Sequence, residues 1–243
     1  MVATNVTSVP ETQGAVKKKS YHHGDLRNAI IQEAMARARV SGEKAIVLRE
    51  IAPLIGVSAT AAYRHFANRQ QLVEEVSARG YVAMRERVEG SLLTGGGADP
   101  ALTAYVDLRN AAIAMVEFAV DEPCWARMML ENLGSSPTVD EQADILRDRL
   151  QEVVDLGVEA GVFRPGTALR GERTFWAAVD GLSAHAMFGV PSLGAPDAES
   201  AADADRAVVR TIDLGMTDLL TDEGRRLRET ADLPYGILAQ LPR

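Results

Sequence analysis

Leu48-Arg49-Glu50-Ile51-Ala52-Pro53-Leu54-Ile55-Gly56-Val57-Ser58-Ala59-Thr60-Ala61-Ala62-Tyr63-Arg64-His65-Phe66 is the stretch on which the fold turns. Leu48, Ile51, Ala52 and Ile55 fall on one face of a short helix, and Ala52 is small enough to let a second helix cross it closely. Gly56 follows the last helical residue, where a left-handed backbone is cheap only for glycine. Val57 plugs the turn and Ser58 is a good N-cap for a helix from Ala59 to about His65. Ala62 and Phe66, four residues apart, anchor that helix inward.

Thr60, Ala61, Tyr63, Arg64 and His65 are left on the outward face. A helix that enters the DNA major groove needs small residues near its start and polar or basic ones at its rim, and this face has both. The stretch therefore reads as a helix-turn-helix between about Val47 and Phe66. A helical hairpin that contains Gly and Ser by chance is the alternative.

Outward from this motif the pattern stays helical. Leu26, Ile30, Ala34 and Ala38 share a face that closes at Ser41-Gly42, and Asn68 caps a long helix from Arg69 to about Glu89. Leu93-Thr94-Gly95-Gly96-Gly97-Ala98-Asp99-Pro100 reads as a hinge ending in an N-cap and a first-turn proline. Helices are then expected at about 100–119, 122–132, 138–160, 168–189 and 202–220. No alternating strand pattern or solenoid-length repeat interrupts them. The expected architecture is all-α with about nine helices. It divides into a disordered basic arm at 1–20, a three-helix DNA-binding head at 21–68, a helical ligand-binding and dimerisation domain at 69–222 and a C-terminal tail at 223–243.

The chain has 243 residues and a net charge of -8, yet its charge is uneven. Residues 1–90 carry a net +4 and residues 91–243 a net -12. A basic head on an acidic body concentrates phosphate attraction in one region. The single cysteine, Cys124, excludes an internal disulfide and fits a reducing compartment. Neither a signal peptide nor an apolar run of membrane-spanning length is apparent, so a cytoplasmic protein without membrane association is expected. Of the four histidines, His22 and His23 are adjacent rather than a helical turn apart, and no cysteine cluster accompanies them. With no nucleophile elbow, phosphate loop or dinucleotide fingerprint, neither catalysis nor a bound cofactor or metal is expected.

The motif resembles that of the TetR/AcrR family of bacterial one-component regulators, at Leu48 to Ala52, Gly56 to Ser58 and Tyr63 to Phe66. Tyr21-His22-His23-Gly24-Asp25-Leu26-Arg27 is similar to the entry of the first helix in one large subgroup. That subgroup often carries a later helix reading Trp, three residues, His-Gly; Trp176 to Gly181 is similar, with Asp180 in the histidine's place. Val47 stands where a phosphate-binding Thr is usual, and Pro53-Leu54 replaces a basic pair. The resemblance implies that Tyr63 and His65 touch phosphates, while Thr60, Ala61 and Arg64 face bases or backbone, with Ser58 at the helix start. Lys17, Lys18 and Lys19 either reach DNA beside the motif or merely solubilise the arm.

One recognition helix reads few base pairs, so a homodimer on a palindromic double-stranded operator is implied. The resemblance places the dimer interface on the last two long helices, at about Leu169–Phe188 and Ala202–Leu220. On the second of these, Ala204, Ala207, Val208, Thr211, Ile212, Gly215 and Leu219 form a stripe suited either to that interface or to the interior. Met115, Phe118, Trp125, Met128, Met129, Phe163, Trp176, His185 and Phe188 are candidates for an effector pocket and serve equally as plain core. Asp180 and His185, polar within an apolar helix, point most directly to a ligand. The expected protein is a regulator, a repressor released from DNA by a small, largely apolar molecule. A helical ligand-binding or protein-interaction module with weak specific DNA binding is the alternative.

Overall fold

Turn chemistry places the helix boundaries. The computed structural model describes residues 23–93, 99–188 and 198–231. The lysine arm, the Gly95–Gly97 hinge and the chain beyond 231 lie outside them. Ten α-helices and no strands occur among the described residues: α1 His23–Ser41, α2 Leu48–Leu54, α3 Ala59–Tyr63, α4 Arg69–Ser91, α5 Pro100–Asp121, α6 Pro123–Asn132, α7 Pro137–Glu159, α8 Arg173–Met187, α9 Ala198–Gly215 and α10 Asp222–Thr230.

The caps expected from the sequence are made. The Asn68 side chain accepts the Gln71 amide at 2.8 Å, and Asp99 accepts those of Ala101 and Leu102 ahead of Pro100. Each satisfies an amide that the first helical turn leaves without a partner. Gly56 has φ +77°, and around it the Val57 amide donates to the Ala52 carbonyl and the Gly56 amide to that of Pro53. This double bond pattern closes α2 and needs the left-handed residue at Gly56. Gly161, φ +81°, closes α7 the same way, with Val162 donating to Gly157 and Gly161 to Val158.

α1, α2 and α3 form a head whose core is Ile30, Ala34, Ile51, Ala52, Ala62 and Phe66, all fully buried. α4 leaves this head and runs through the body, packing on α5, α6 and α7. α5 is the central helix, buried on nearly every side. Its Arg109 side chain is only 4% exposed and meets Asp213 of α9 at 3.2 Å, while the Tyr105 hydroxyl donates to the same carboxylate at 2.9 Å. The Asp213 carboxylate offsets the charge of the buried cation, and the Tyr105 hydroxyl satisfies that carboxylate further.

Three boundaries differ from expectation. α3 ends at Tyr63 because the Arg64 and His65 amides step to carbonyls three residues back. α8 begins at Arg173, after a 3₁₀ turn at Leu169–Gly171 held by Gln151, whose side chain donates to the Thr167 carbonyl and accepts the Leu169 amide. The largest difference is α10, within residues expected to be a tail. Thr221 caps it by accepting the Gly224 amide at 3.0 Å, and the Thr221 hydroxyl donates to the Gly161 carbonyl at 2.7 Å. A bridge between Phe163 and Leu220 completes the attachment to the end of α7.

Gly224 sits so close to that turn that a Cβ there would lie 2.3 Å from the Val162 carbonyl oxygen. Gly224→Ala is therefore expected to destabilise the fold by about 2 kcal/mol through overpacking against backbone, lowering the thermal midpoint by roughly 4–8 °C; an unchanged calorimetric midpoint would contradict this docking. In the head, Ser58 Oγ accepts the Ala61 amide at 3.2 Å. Ser58→Ala should cost about 1 kcal/mol and speed hydrogen exchange at the Ala61 amide, which NMR can follow.

Candidate functional site

The head turns a reading edge outward by burying the other side of α3. Ala62 and Phe66 are fully buried, and the Arg27 guanidinium lies 5.1 Å over the Phe66 ring while pairing with Glu75 of α4 at 2.8 Å. Thr60, Tyr63 and Arg64 are consequently exposed, Tyr63 by 48%. Ala61 and His65 are half-buried, with Ala61 packed on the core. Ser58 is exposed and occupied as the N-cap of α3.

Arg64 and, on α2, Arg49 are exposed and make no salt bridge among the described residues. Arg37 and Arg69 are instead committed internally: Arg37 pairs with Glu33 and Glu50, and Arg69 with Glu43 and the Ile46 carbonyl. Val47 occupies the N-cap position of α2 in extended conformation and gives no side-chain cap bond. Pro53 lies inside α2 and Leu54 is 60% exposed beside it, so this end of α2 presents apolar surface rather than charge.

The head is fixed to the body through α6. Arg39 near the end of α1 pairs with Glu122 at 3.0 Å and lies 4.7 Å over the Trp125 ring. The Cys124 thiol meets the Val40 carbonyl at 3.5 Å. Trp125 is fully buried, and its Nε1–H donates to the Val76 carbonyl of α4 at 3.0 Å. α4 and α6 approach at Gly80, where a Cβ would fall 2.3 Å from the Met129 sulfur and 3.1 Å from the Trp125 ring nitrogen.

Beside this crossing is a cavity of about 480 Å³ walled by α4, α5, α6, α7 and α8. Its size suits a small organic molecule. Tyr81 and Met84 come from α4, Met115 from α5, Met129 from α6, Arg147 from α7, and Trp176, Asp180, Ser183 and Met187 from α8. Arg170, in the 3₁₀ turn before α8, stands at the edge. Burial pushes the Tyr81 phenol up to about 12, with Asp180 and Asp140 adding to it against Arg147. Burial also raises the Asp180 carboxyl above its ordinary range, against the opposing charge of Arg147.

Of the effector candidates read from the sequence, Met115, Met129, Trp176 and Asp180 meet at this cavity. Phe118, Trp125 and Met128 do not line it: they are buried in the core, with Phe118 and Trp125 in contact at 5.9 Å between ring centroids. The Phe163 ring fills the space left by Gly157. His185 is exposed on α8 and bonded to the Gly181 carbonyl, and Phe188 is 67% exposed. Composition cannot separate these cases, since Met and aromatic residues fill cores and line cavities alike. Arg147, Arg170 and Ser183 were not expected here, because charged and small residues on amphipathic helices read as solvated faces, and Tyr81 and Met84 lie on a helix expected to supply only apolar packing.

The α9 stripe also resolves. Val208, Ile212, Gly215 and Leu219 are buried within the chain, and Gly215 approaches Ala178 so closely that a Cβ would come within 2.8 Å. Most of that stripe therefore packs α9 onto α8, whereas Ala207, Arg210 and Leu214 face outward. Among the described residues no group of three or more His, Cys, Asp or Glu gathers for a metal ion, and no helix is long and apolar enough to cross a membrane.

No protein-family model matches the sequence, and no curated protein matches it. Solved structures do. A protein of unknown function from Rhodococcus sp. RHA1 is 25% identical, with a TM-score of 0.68 over 84% of this chain and all of its own. A putative TetR-family transcriptional regulator from Mesorhizobium loti is 16% identical, with a TM-score of 0.60 over 83% of this chain and all of its own. A putative transcriptional regulator from Saccharomonospora viridis, solved in complex with choline, is 18% identical, with a TM-score of 0.53 over 82% of this chain and 99% of its own. The order of helices, the capped turn at Gly56 and these superpositions lead to one conclusion: the chain has the fold of the TetR-family transcriptional regulators.

Proposed function

We propose that this protein is a DNA-binding transcriptional regulator that answers to a small molecule, working as a cytoplasmic homodimer on a palindromic operator and acting as a repressor. The observation that carries the reading is the outward edge of α3, where Thr60, Tyr63 and Arg64 stand exposed on a helix pinned by buried Ala62 and Phe66. A pinned helix followed by a guanidinium that makes no ion pair among the described residues can contact base edges or phosphates without reorganising the head. Arg49, exposed and without an ion pair among the described residues, adds a second cation on the same motif. Ser58, Ala61 and His65 complete the proposed surface, and Lys17, Lys18 and Lys19 would add phosphate contacts from outside the described residues.

The outward residues of α8 and α9 support dimerisation. Leu214 and Phe188 are large apolar side chains exposed by 61% and 67%, and a Cβ at Gly181 would meet nothing. Apolar side chains and a glycine on outward faces favour a partner helix. The second copy would place two reading edges about one helical turn of DNA apart, ~34 Å.

Effector occupancy would act through α6. Met129 belongs both to the cavity and to the close crossing at Gly80, and Trp125, one turn earlier, bears on α1 through Arg39. A molecule that displaces Met129 would favour a different seat of α6 on α4, and with it a different spacing of the two heads. The choline-bound regulator from S. viridis supports the view that this fold accommodates a small molecule.

The test is a pull-down of genomic fragments with the purified protein, followed by gel shifts on the recovered site. Tyr63→Ala combined with Arg64→Ala should weaken specific binding roughly a hundred-fold while leaving the melting temperature in place. Unchanged affinity in this double variant, or failure of the wild type to retain any site at low salt, overturns the reading in favour of a ligand-binding or protein-interaction module.

A further inference from the structure

Of the polar side chains that line the cavity, Tyr81 alone is more than nine-tenths buried, at 7% exposed. Its hydroxyl makes no hydrogen bond among the described residues, and protein atoms do not seal it, so it opens on the cavity. The other polar groups of the wall are placed differently. Trp176 spends its Nε1–H on the Leu169 carbonyl at 2.8 Å. Asp180 and Arg170 are exposed, where water solvates them, and Ser183 is half-buried. Arg147 is half-buried and bonds Asp144 at 2.8 Å through Nη1, which leaves the Nε and Nη2 protons for another acceptor. Its charge acts on the Tyr81 phenol, so the two donors serve the same part of the cavity.

A phenol O–H at this depth needs an acceptor. Water can serve it, but a molecule that fills the cavity displaces that water and inherits the hydrogen bond. A purely apolar molecule leaves the proton without a partner. An ammonium group meets at most the lone pairs of the phenol oxygen and leaves its proton unanswered. A hydroxyl accepts, but brings a proton that needs an acceptor of its own. A carbonyl-type oxygen accepts two bonds and donates none, which matches a phenol O–H beside a guanidinium. The rest of the wall is soft and apolar, with the thioethers of Met84, Met115, Met129 and Met187.

From this we infer that the cavity takes a largely apolar carbonyl compound, a ketone, ester or carboxylate, whose oxygen accepts the Tyr81 hydroxyl while its body lies among the methionines. This rests on the reading of the cavity as the effector site, and it adds a required acceptor to the apolar effector that the sequence suggests. Neutral and charged forms share that acceptor, and the probes separate them.

The probes are 2-octanone, octanoate and 2-methyl-1-octene, in which a methylene replaces the ketone oxygen. Binding is followed by the fluorescence of Trp176, with Trp176→Phe as the site control, since Trp125 is fully buried away from the cavity. Each probe is compared between the wild type and Tyr81→Phe, so that differences in the probes' own hydration cancel. 2-Octanone should bind Tyr81→Phe roughly ten-fold more weakly than the wild type, while 2-methyl-1-octene binds both alike. Octanoate that loses affinity with Tyr81→Phe, and again with Arg147→Gln, identifies a carboxylate ligand. Octanoate that fails to bind where 2-octanone does identifies a neutral carbonyl. Tyr81→Phe should melt no lower than the wild type, because no bond within the protein is lost. A midpoint lowered by several degrees gives the hydroxyl a protein partner and overturns the assignment, as do 2-octanone and octanoate affinities indifferent to Tyr81→Phe. If the probes bind as expected but leave operator affinity unchanged, the effector reading falls and the Tyr81 assignment stands. If no probe perturbs Trp176 at its solubility limit, both fall.

Discussion

The structure hangs on Trp125. Its ring is fully buried, its Nε1–H is spent on the Val76 carbonyl in the middle of α4, and Arg39 from the end of α1 covers one side of it. Phe118 of α5 lies against it as well. One side chain thus joins the head to three helices of the body, and each contact constrains the others. An indole N–H without an acceptor at this depth would cost about 1–3 kcal/mol, so α6 cannot slide along α4 without replacing that bond. The close approach at Gly80 reinforces this, because the small residue allows Met129 and Trp125 to come down onto the helix itself. The head is consequently held in a defined relation to the cavity wall.

Charge follows the same economy. In the head Arg27, Arg37 and Arg69 are tied to carboxylates or carbonyls, whereas Arg49 and Arg64 are exposed and make no ion pair among the described residues. In the body Arg109 is buried but answered by Asp213, which also receives the Tyr105 hydroxyl. That carboxylate and burial together push the Tyr105 phenol well above its ordinary range, so it remains a donor at any physiological pH. Buried charges with partners hold the architecture, and exposed or half-buried charges without partners sit where a second molecule would meet them.

The legible part of the sequence is the part governed by neighbours in the chain. Gly56, Ser58, Asn68 and Asp99-Pro100 each determine a local backbone or cap, and each does what its chemistry requires. Residues whose role depends on distant contacts were opaque. α10 is a strongly polar segment whose attachment depends on Gly224 meeting Val162, some sixty residues away along the chain. Gly80 is a close helix crossing that no pattern among its neighbours in the chain announces. The stripe on α9 was sound as periodicity, but periodicity cannot say whether a face meets its own chain or another. The cavity was half legible: Met115, Met129, Trp176 and Asp180 belong to it, while Phe118, Trp125 and Met128 are core that the same composition would describe.

The brevity of α3 has a consequence for how such a protein can diverge. Its five residues divide cleanly, with Ala62 holding the helix down and Thr60 and Tyr63, followed by Arg64, turned to solvent. Exposed substitutions away from caps and packing usually change stability by less than about 0.5 kcal/mol. The outward positions are therefore nearly free to vary without endangering the fold, and two or three changes alter most of the chemistry the helix displays. A duplicated copy could acquire a new binding preference while keeping its scaffold, its cavity and its interior intact.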